Sequence, residues 1–239
     1  MVNLLDPNVI VTRMFESKKF NDMLNYCSKL LEKNPNDLMA LQNSALSLLN
    51  LENFSEAVTF CDKVLKENNF DNYALTIKIQ ALENLRKYEE VLTCCESILA
   101  KNNADIWALN TSGLALNELN KFKEAIEFYD KTLKIDDKNI TALMNKAMSL
   151  SFLGEYNKSA EYYDMAQIID PSMKELAIAK SREFKKLGLE DEAFLAAQGV
   201  LIKDMEKIKS DAKKNKSSVF HQFCQIEFEE KEAKNNKIK

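Results

Sequence analysis

The sequence predicts an all-α fold, a stack of antiparallel helical hairpins followed by a C-terminal helix. Three observations lead there. Residue types recur every 34 positions along most of the 239-residue chain. Within each period the apolar side chains follow helical spacing. The chain also holds only 4 Gly and 3 Pro, too few breakers for anything but helices joined by short turns.

The period is legible in several columns. An aromatic column runs Phe20, Phe54, Tyr88, Phe122 and Tyr156. A mostly small column runs Met23, Ala57, Val91, Ala125, Ser159 and Ala193, and a third runs Ser17, Leu51, Leu85, Leu119, Leu153 and Leu187. Turn residues recur in step as NPND, NNFD, NNAD, DDKN and DPSM. Self-similarity at a fixed period marks a repeat array. Each unit must be a hairpin, which cannot bury its apolar face alone but can when stacked on neighbours.

Six units tile without insertion, at 4–37, 38–71, 72–105, 106–139, 140–173 and 174–207. The first diverges, as terminal units that cap a stack do. The fourth shows the pattern well: Leu109, Leu116 and Leu119 flank small Ser112 and Gly113, and then Phe122, Ala125, Ile126, Tyr129, Leu133 and Ile135 follow. Both sets keep i, i+3/i+4, i+7 spacing. Two-residue breaks such as Asn120-Lys121 and Gly154-Glu155 separate the paired helices. In the sixth unit KDMEK offers no turn residue, so its second helix is expected to run on past Met205 and Ile208. Residues 211–218 then read as a polar break, with Ser217 or Ser218 capping a final helix from Val219. That helix is expected to carry Val219, Phe220, Phe223, Cys224 and Ile226 on one stripe. Residues 208–239 thus form an extension, a helix that caps the stack or binds a partner, with a disordered tail over 234–239.

At this point the chain resembles the tetratricopeptide repeat (TPR) family. The fourth unit, LNTSGLALNELNKFKEAIEFYDKTLKI, matches its pattern at Gly113, Phe122, Ala125 and Tyr129. The fifth matches at Ala147, Gly154, Tyr156, Tyr163, Ala166 and Pro171. The resemblance implies a right-handed α-α superhelix, a TPR solenoid, whose first helices line a concave face that takes an extended peptide or a partner's helix.

The cysteines obey the same period. Cys27, Cys61 and Cys95 share a column with Tyr129, Tyr163 and Ala197. Stacked helices lie about 8–10 Å apart, so equivalent residues one unit apart are too distant for a disulfide, whose Cα atoms must approach to roughly 4.4–6.8 Å. These thiols read as small buried hydrophobes. An odd count of five cysteines with no C-x-x-C fits a reducing cytoplasm. The N-terminal MVNLLDPNVIVTRMF lacks the basic stretch of a signal peptide, and no apolar run approaches the ~20 residues of a membrane span.

Chemistry is conspicuously thin. His221 is the only histidine, and with Cys224 it makes two ligands, not a metal site. There is no glycine-rich phosphate loop, and carboxylate pairs such as Glu89-Glu90 read as solvated helix faces. No enzyme, cofactor or metal is expected. The net charge is −4: residues 203–239 carry ten lysines against seven acids, which leaves −7 on residues 1–202. An acidic body is a poor ligand for phosphate backbones, so nucleic acid is disfavoured.

The concave face implied by the resemblance can be traced column by column. One column is Asn8, Gln42, Thr76, Asn110 and Met144. The next is Val9, Asn43, Ile77, Thr111 and Asn145, and a third is Thr12, Leu46, Gln80, Leu114 and Met148. The sixth unit adds Ile178, Ala179 and Arg182; across units one to five none of these fifteen positions is charged, in a chain that is 29% charged. A further column reads Leu5, Met39, Tyr73, Trp107, Thr141 and Glu175, and its first four entries are apolar, a stripe that either opens on the groove or packs against the preceding unit's second helix. TPR clamps that hold acidic chaperone tails need Lys and Arg on these faces. Here Tyr73 and Ile77, or Thr141 and Asn145, stand instead, so an acidic tail is disfavoured. Amides such as Asn43 and Asn145 are suited to a peptide backbone, since they offer a donor and an acceptor. The expected function is a protein–protein adaptor with a protein or peptide partner. The alternative is a structural subunit that assembles through its C-terminal helix or the solenoid edges.

Overall fold

The computed structural model describes residues 6–236, with side chains described through Glu229 and at Lys231. Among the described residues there are fourteen helices and no strand. By contact the chain divides into two compact units, residues 1–121 and 122–239. The division falls between the two helices of the predicted fourth hairpin.

The first unit holds α1 (Pro7–Glu16), α2 (Phe20–Lys33), α3 (Leu38–Asn50), α4 (Phe54–Glu67), α5 (Asn72–Asn84), α6 (Tyr88–Lys101) and α7 (Ile106–Glu118). The second holds α8 (Phe122–Ile135), α9 (Ile140–Phe152), α10 (Tyr156–Ile169), α11 (Lys174–Lys186), α12 (Glu190–Ala197), α13 (Ile202–Lys214) and α14 (Val219–Asn236). The start of the predicted 4–37 unit, with Leu5, lies outside the described residues.

The recurring turn motifs have a physical account. The first Asn or Asp of each motif folds its side chain onto the N–H two residues on: Asn34 onto Asn36, Asn68 onto Phe70, Asn102 onto Ala104, Asp136 onto Lys138 and Asp170 onto Ser172. These are Asx turns, which stop one helix. The last residue of the motif then caps the next helix. Asp37, Asp71, Asp105 and Asn139 accept from the N–H of Ala40, Ala74, Ala108 and Ala142 at 2.8–3.0 Å. The tighter break inside each hairpin places one residue in the left-handed region: Lys18, Glu52, Arg86, Asn120, Gly154 and Gly188, with φ from 53° to 79°.

Small residues let the helices meet closely. Ala57, Val91, Ala125, Ser159 and Ala193 are 0–1% exposed. Cys27, Cys61 and Cys95 are fully buried free thiols, as their column predicts. A polar device adds register. Lys78 on α5 reaches Asp62 on α4 at 2.6 Å, Lys146 on α9 reaches Asp130 on α8 at 2.5 Å, and Lys180 on α11 reaches Asp164 on α10 at 2.5 Å. Each pair ties a hairpin's second helix to the next hairpin's first helix. All three pairs share an Asp–x15–Lys spacing in the sequence.

The C-terminal region corrects four expectations. The second helix of the sixth unit does not run on past Met205. It ends at Ala197, turns through Gly199 at φ 83°, and restarts as α13. The break is held from other helices. Gln167 Nε2 donates to the Gly199 carbonyl at 2.6 Å, Lys180 Nζ to the Val200 carbonyl at 2.9 Å, and the Ile202 N–H to Asp164 at 3.1 Å. Second, the polar break expected at 211–218 is shorter. Residues 211–214 stay helical, Lys216 takes φ 51°, and Ser218 caps α14 by accepting from the His221 N–H at 3.1 Å. Third, α14 continues to Asn236, so residues 234–236 are helical; 237–239 lie outside the described residues. α14 packs on α12 and α13 through a core of Leu195, Ala196, Met205, Ile208, Ala212, Val219 and Phe223. The single stripe expected on it is in fact two. Val219 and Phe223 are buried and Ile226 is half-buried, but Phe220 and Cys224 face solvent.

Candidate partner-binding groove

In the first unit the outward faces of α1, α3 and α5 enclose a cleft of about 530 Å³. α1 contributes Asn8, Val11, Thr12 and Phe15; α3 contributes Met39, Gln42, Asn43 and Leu46; α5 contributes Tyr73. The i, i+3/i+4, i+7 spacing on α1 and α3 is what puts each set on one helix face. None of the nine side chains is charged. Burial first, and then the Cys61 thiol, pushes the Tyr73 hydroxyl above its ordinary value, so the lining stays neutral.

The polar groups are held in place locally. Thr12 Oγ1 donates to the Asn8 carbonyl at 2.8 Å, and Asn43 Nδ2 to the Met39 carbonyl at 2.8 Å. Gln42 Nε2 donates to Asp71 at 3.0 Å, which ties α3 to the residue that caps α5. These bonds use one amide hydrogen of Gln42 and one of Asn43, and each amide keeps an acceptor oxygen and a second hydrogen.

Seven residues predicted from sequence converge here: Asn8, Thr12, Met39, Gln42, Asn43, Leu46 and Tyr73. Others behave differently. Ile77 is 3% exposed and packs with Ala45 and Cys61, and Thr111 is 8% exposed, so both offer little surface. Thr76 is half-buried, its hydroxyl turned back to the Asn72 carbonyl at 2.8 Å, while Gln80 is exposed. On α7, Trp107 is 42% exposed, Leu114 is exposed and Asn110 is half-buried. Met144, Asn145 and Met148 are half-buried on α9 in the second unit. Leu5 lies outside the described residues. The sequence reading missed Val11 and Phe15. Phe15 sits seven residues after Asn8 on the same face of α1, but its 34-residue column includes Glu83 and Lys185, which hid it.

A second cavity, of about 510 Å³, lies in the second unit among α8, α9 and α10. Three lysines line it, Lys123, Lys146 and Lys158. Lys158 pairs with Glu155 at 2.6 Å, while Lys146 donates to Asp130 and to the Tyr162 hydroxyl, each at 2.5 Å, and lies 4.1 Å from the Tyr162 ring centre. Burial works against the Lys146 ammonium, but these hydrogen bonds outweigh it and its pKa is raised. Among the described residues no three His, Cys, Asp or Glu side chains gather as a metal site, and no helix is long and apolar enough to cross a membrane.

The profile of one protein family, described as "Psidin, N-terminal TPR repeats region", matches residues 46–166. The chain belongs to this family of tetratricopeptide repeats. No curated protein matches it. Among solved structures, a tetratricopeptide repeat protein from Parabacteroides merdae superposes with a TM-score of 0.71 at 16% identity, over 80% of this chain and 76% of that one. MamA from Desulfovibrio magneticus superposes with a TM-score of 0.65 at 23% identity, over 70% of this chain and 94% of that one. YrrB, a TPR protein with an unusual peptide-binding site, gives 0.58 at 17% identity, over 72% and 89%. At these identities the likeness is one of fold, and the fold class is the all-α helical-repeat solenoid.

Proposed function

We propose that this TPR chain is a non-enzymatic protein–protein interaction scaffold whose α1–α3–α5 cleft receives a peptide segment or helix of a partner. The observation that carries this reading is the lining itself: nine uncharged side chains around one cleft in a chain that is 29% charged. Met39, Leu46, Phe15 and Tyr73 supply apolar contact, and aromatic anchors dominate interface energetics. The amides of Gln42 and Asn43 suit the alternating donors and acceptors of a peptide backbone. The absence of cationic side chains in the lining disfavours acidic tails and nucleic acid. The peptide-binding site of YrrB, a fold neighbour, lends the reading support as analogy. Five free cysteines, four of them buried, favour a reducing compartment such as the cytoplasm.

The test is selection of peptides from a random display library on the immobilised 239-residue chain. Selected peptides should be poor in acidic residues. They should lose at least tenfold in affinity on the Asn43→Ala/Tyr73→Ala variant, whose melting temperature should change little because Tyr73 is 45% exposed. Peptides that bind wild type and variant equally would remove the cleft from the function.

A further inference from the structure

α14 carries two apolar faces. Val219, Gln222, Phe223 and Ile226 turn toward α12 and α13. Phe220, Cys224 and Phe228, spaced i, i+4, i+8, form a second stripe that leaves most of each phenylalanine to solvent, with the Phe220 ring edge resting on Phe194 of α12. Phe220 and Phe228 are 60% and 61% exposed, and Cys224 is a free, exposed thiol. A helix that only closes a stack needs one apolar face. A single exposed apolar residue is ordinary, but two phenylalanines on one solvent stripe are not. Phe220 is also held ready: its ring centre lies 5.3 Å from that of Phe194, which meets Phe223 edge-on at 5.7 Å.

The order of residues along the stripe says what covers it. In FHQFCQIEF, residues 220–228, Cys224 is the centre. Four residues to either side stands a phenylalanine, Phe220 and Phe228. Three residues to either side stand His221 and Glu227, an imidazole N–H donor and a carboxylate acceptor. A two-fold axis through Cys224 that sets two α14 helices antiparallel brings residue 224+k of one copy against 224−k of the other. Phe220 then meets Phe228 of the second copy, and His221 meets its Glu227. Every contact occurs twice, which is the condition for an isologous dimer. Among the described residues Glu227 pairs with Lys231 at 3.5 Å, with both side chains at least half exposed, and such surface pairs are weak.

We propose that this face of α14 is a self-association surface, on which a second copy of the chain docks antiparallel through Phe220, Cys224 and Phe228. The stripe spans eight helical steps, about 12 Å. Such a short seam lies below the roughly 1,200 Å² of a standard stable interface, so the dimer is weak and reversible. Helices packed about 8–10 Å apart bring facing Cα atoms to about 5 Å at the crossing point, so the two Cys224 thiols lie side by side.

Sedimentation equilibrium on the reduced 239-residue chain, from about 5 to 500 μM, tests this directly. The weight-average mass should climb from 27.4 kDa toward twice that value. A short bis-maleimide should link the chains through Cys224. Phe228→Glu should remain monomeric and escape the cross-link with an unchanged circular dichroism spectrum, while Cys224→Ala should still dimerise. Glu227→Lys should weaken association several-fold, and His221→Glu added to it should restore it. Monomer throughout the range, as expected if the stripe serves an unrelated partner, overturns the proposal. So does a dimer indifferent to Phe228→Glu. Failure of the double exchange to restore association overturns the antiparallel register.

Discussion

Replacing Lys180 with Met should destabilise the second unit more than any other single exchange on a lysine. The Lys180 side chain is wholly buried, and all three ammonium hydrogens are used: to Asp164 at 2.5 Å, to Gln167 Oε1 at 2.8 Å and to the Val200 carbonyl at 2.9 Å. Burial pulls the Lys180 pKa down and Asp164 opposes this only in part, which is the signature of a cation whose existence depends on its partners. Methionine fills the space but strands Asp164, whose side chain is 11% exposed, with the Ile202 N–H as its remaining partner. Breaking a buried pair from one side costs about 3–5 kcal/mol. For a chain of this size that lowers the melting temperature by roughly 6–20 °C. Because the same network pins residues 199–202, and repeat arrays lose stability locally, the damage should concentrate in α12 and α13. Hydrogen exchange followed by mass spectrometry, together with urea unfolding, reads both quantities. Adding Asp164→Leu should recover much of the loss, since an apolar replacement of both partners is often near neutral. A loss under about 1 kcal/mol, or one spread evenly along the chain, would refute the view that Lys180 holds the α12–α13 break.

The intra-hairpin turns make a second forecast. Glu52 and Arg86 adopt φ 61° and 56°, where a side chain costs roughly 1–2 kcal/mol that glycine avoids at some entropic expense. Glu52→Gly or Arg86→Gly should therefore stabilise by about 0.5–1 kcal/mol, while Gly154→Ala should destabilise although an added Cβ there would touch nothing within 4 Å. A null result in all three would show that these turns carry no strain. The thiols give a third: of five free cysteines only Cys224 is exposed, so a thiol reagent should modify one site quickly and the rest only on unfolding. Burial pushes the Cys61 and Cys95 thiols up to about 12 from an ordinary 9. Their contribution is complete below pH 9 and drains away as pH rises toward 12, at about 1.4 kcal/mol per pH unit per thiol. Cys61→Ala should flatten that alkaline slope, and an unchanged slope would count against the burial. Finally, Trp107 at 42% exposed should emit at long wavelength and be open to acrylamide; blue-shifted, protected emission from the free chain would place it in the core instead.

Much of this protein was written in local sequence. The 34-residue period, the Asx turns at Asn34, Asn68 and Asn102, the caps at Asp37, Asp71 and Asp105, and the buried cysteine column all follow from interactions within a few residues or within one recurring unit. Those interactions look alike in every repeat, so their pattern is visible without coordinates. The uncharged character of the α1–α3–α5 cleft was equally readable. What needed the tertiary structure was every outcome set by a partner far along the chain. Ile77 and Tyr73 differ by one helical turn, yet Ile77 packs against Ala45 and Cys61 and is lost to the surface, while Tyr73 stays open. The end of α12 is decided by Asp164, Gln167 and Lys180, residues 20 to 38 positions away from those they bond, and nothing in the KDMEK segment announces it. The two faces of α14 have the same helical period and similar apolar content. Only the packing of Val219 and Phe223 against α12 and α13 determines that Phe220, Cys224 and Phe228 are the face left to solvent, because a helix cannot bury opposite sides against neighbours that lie on one side alone.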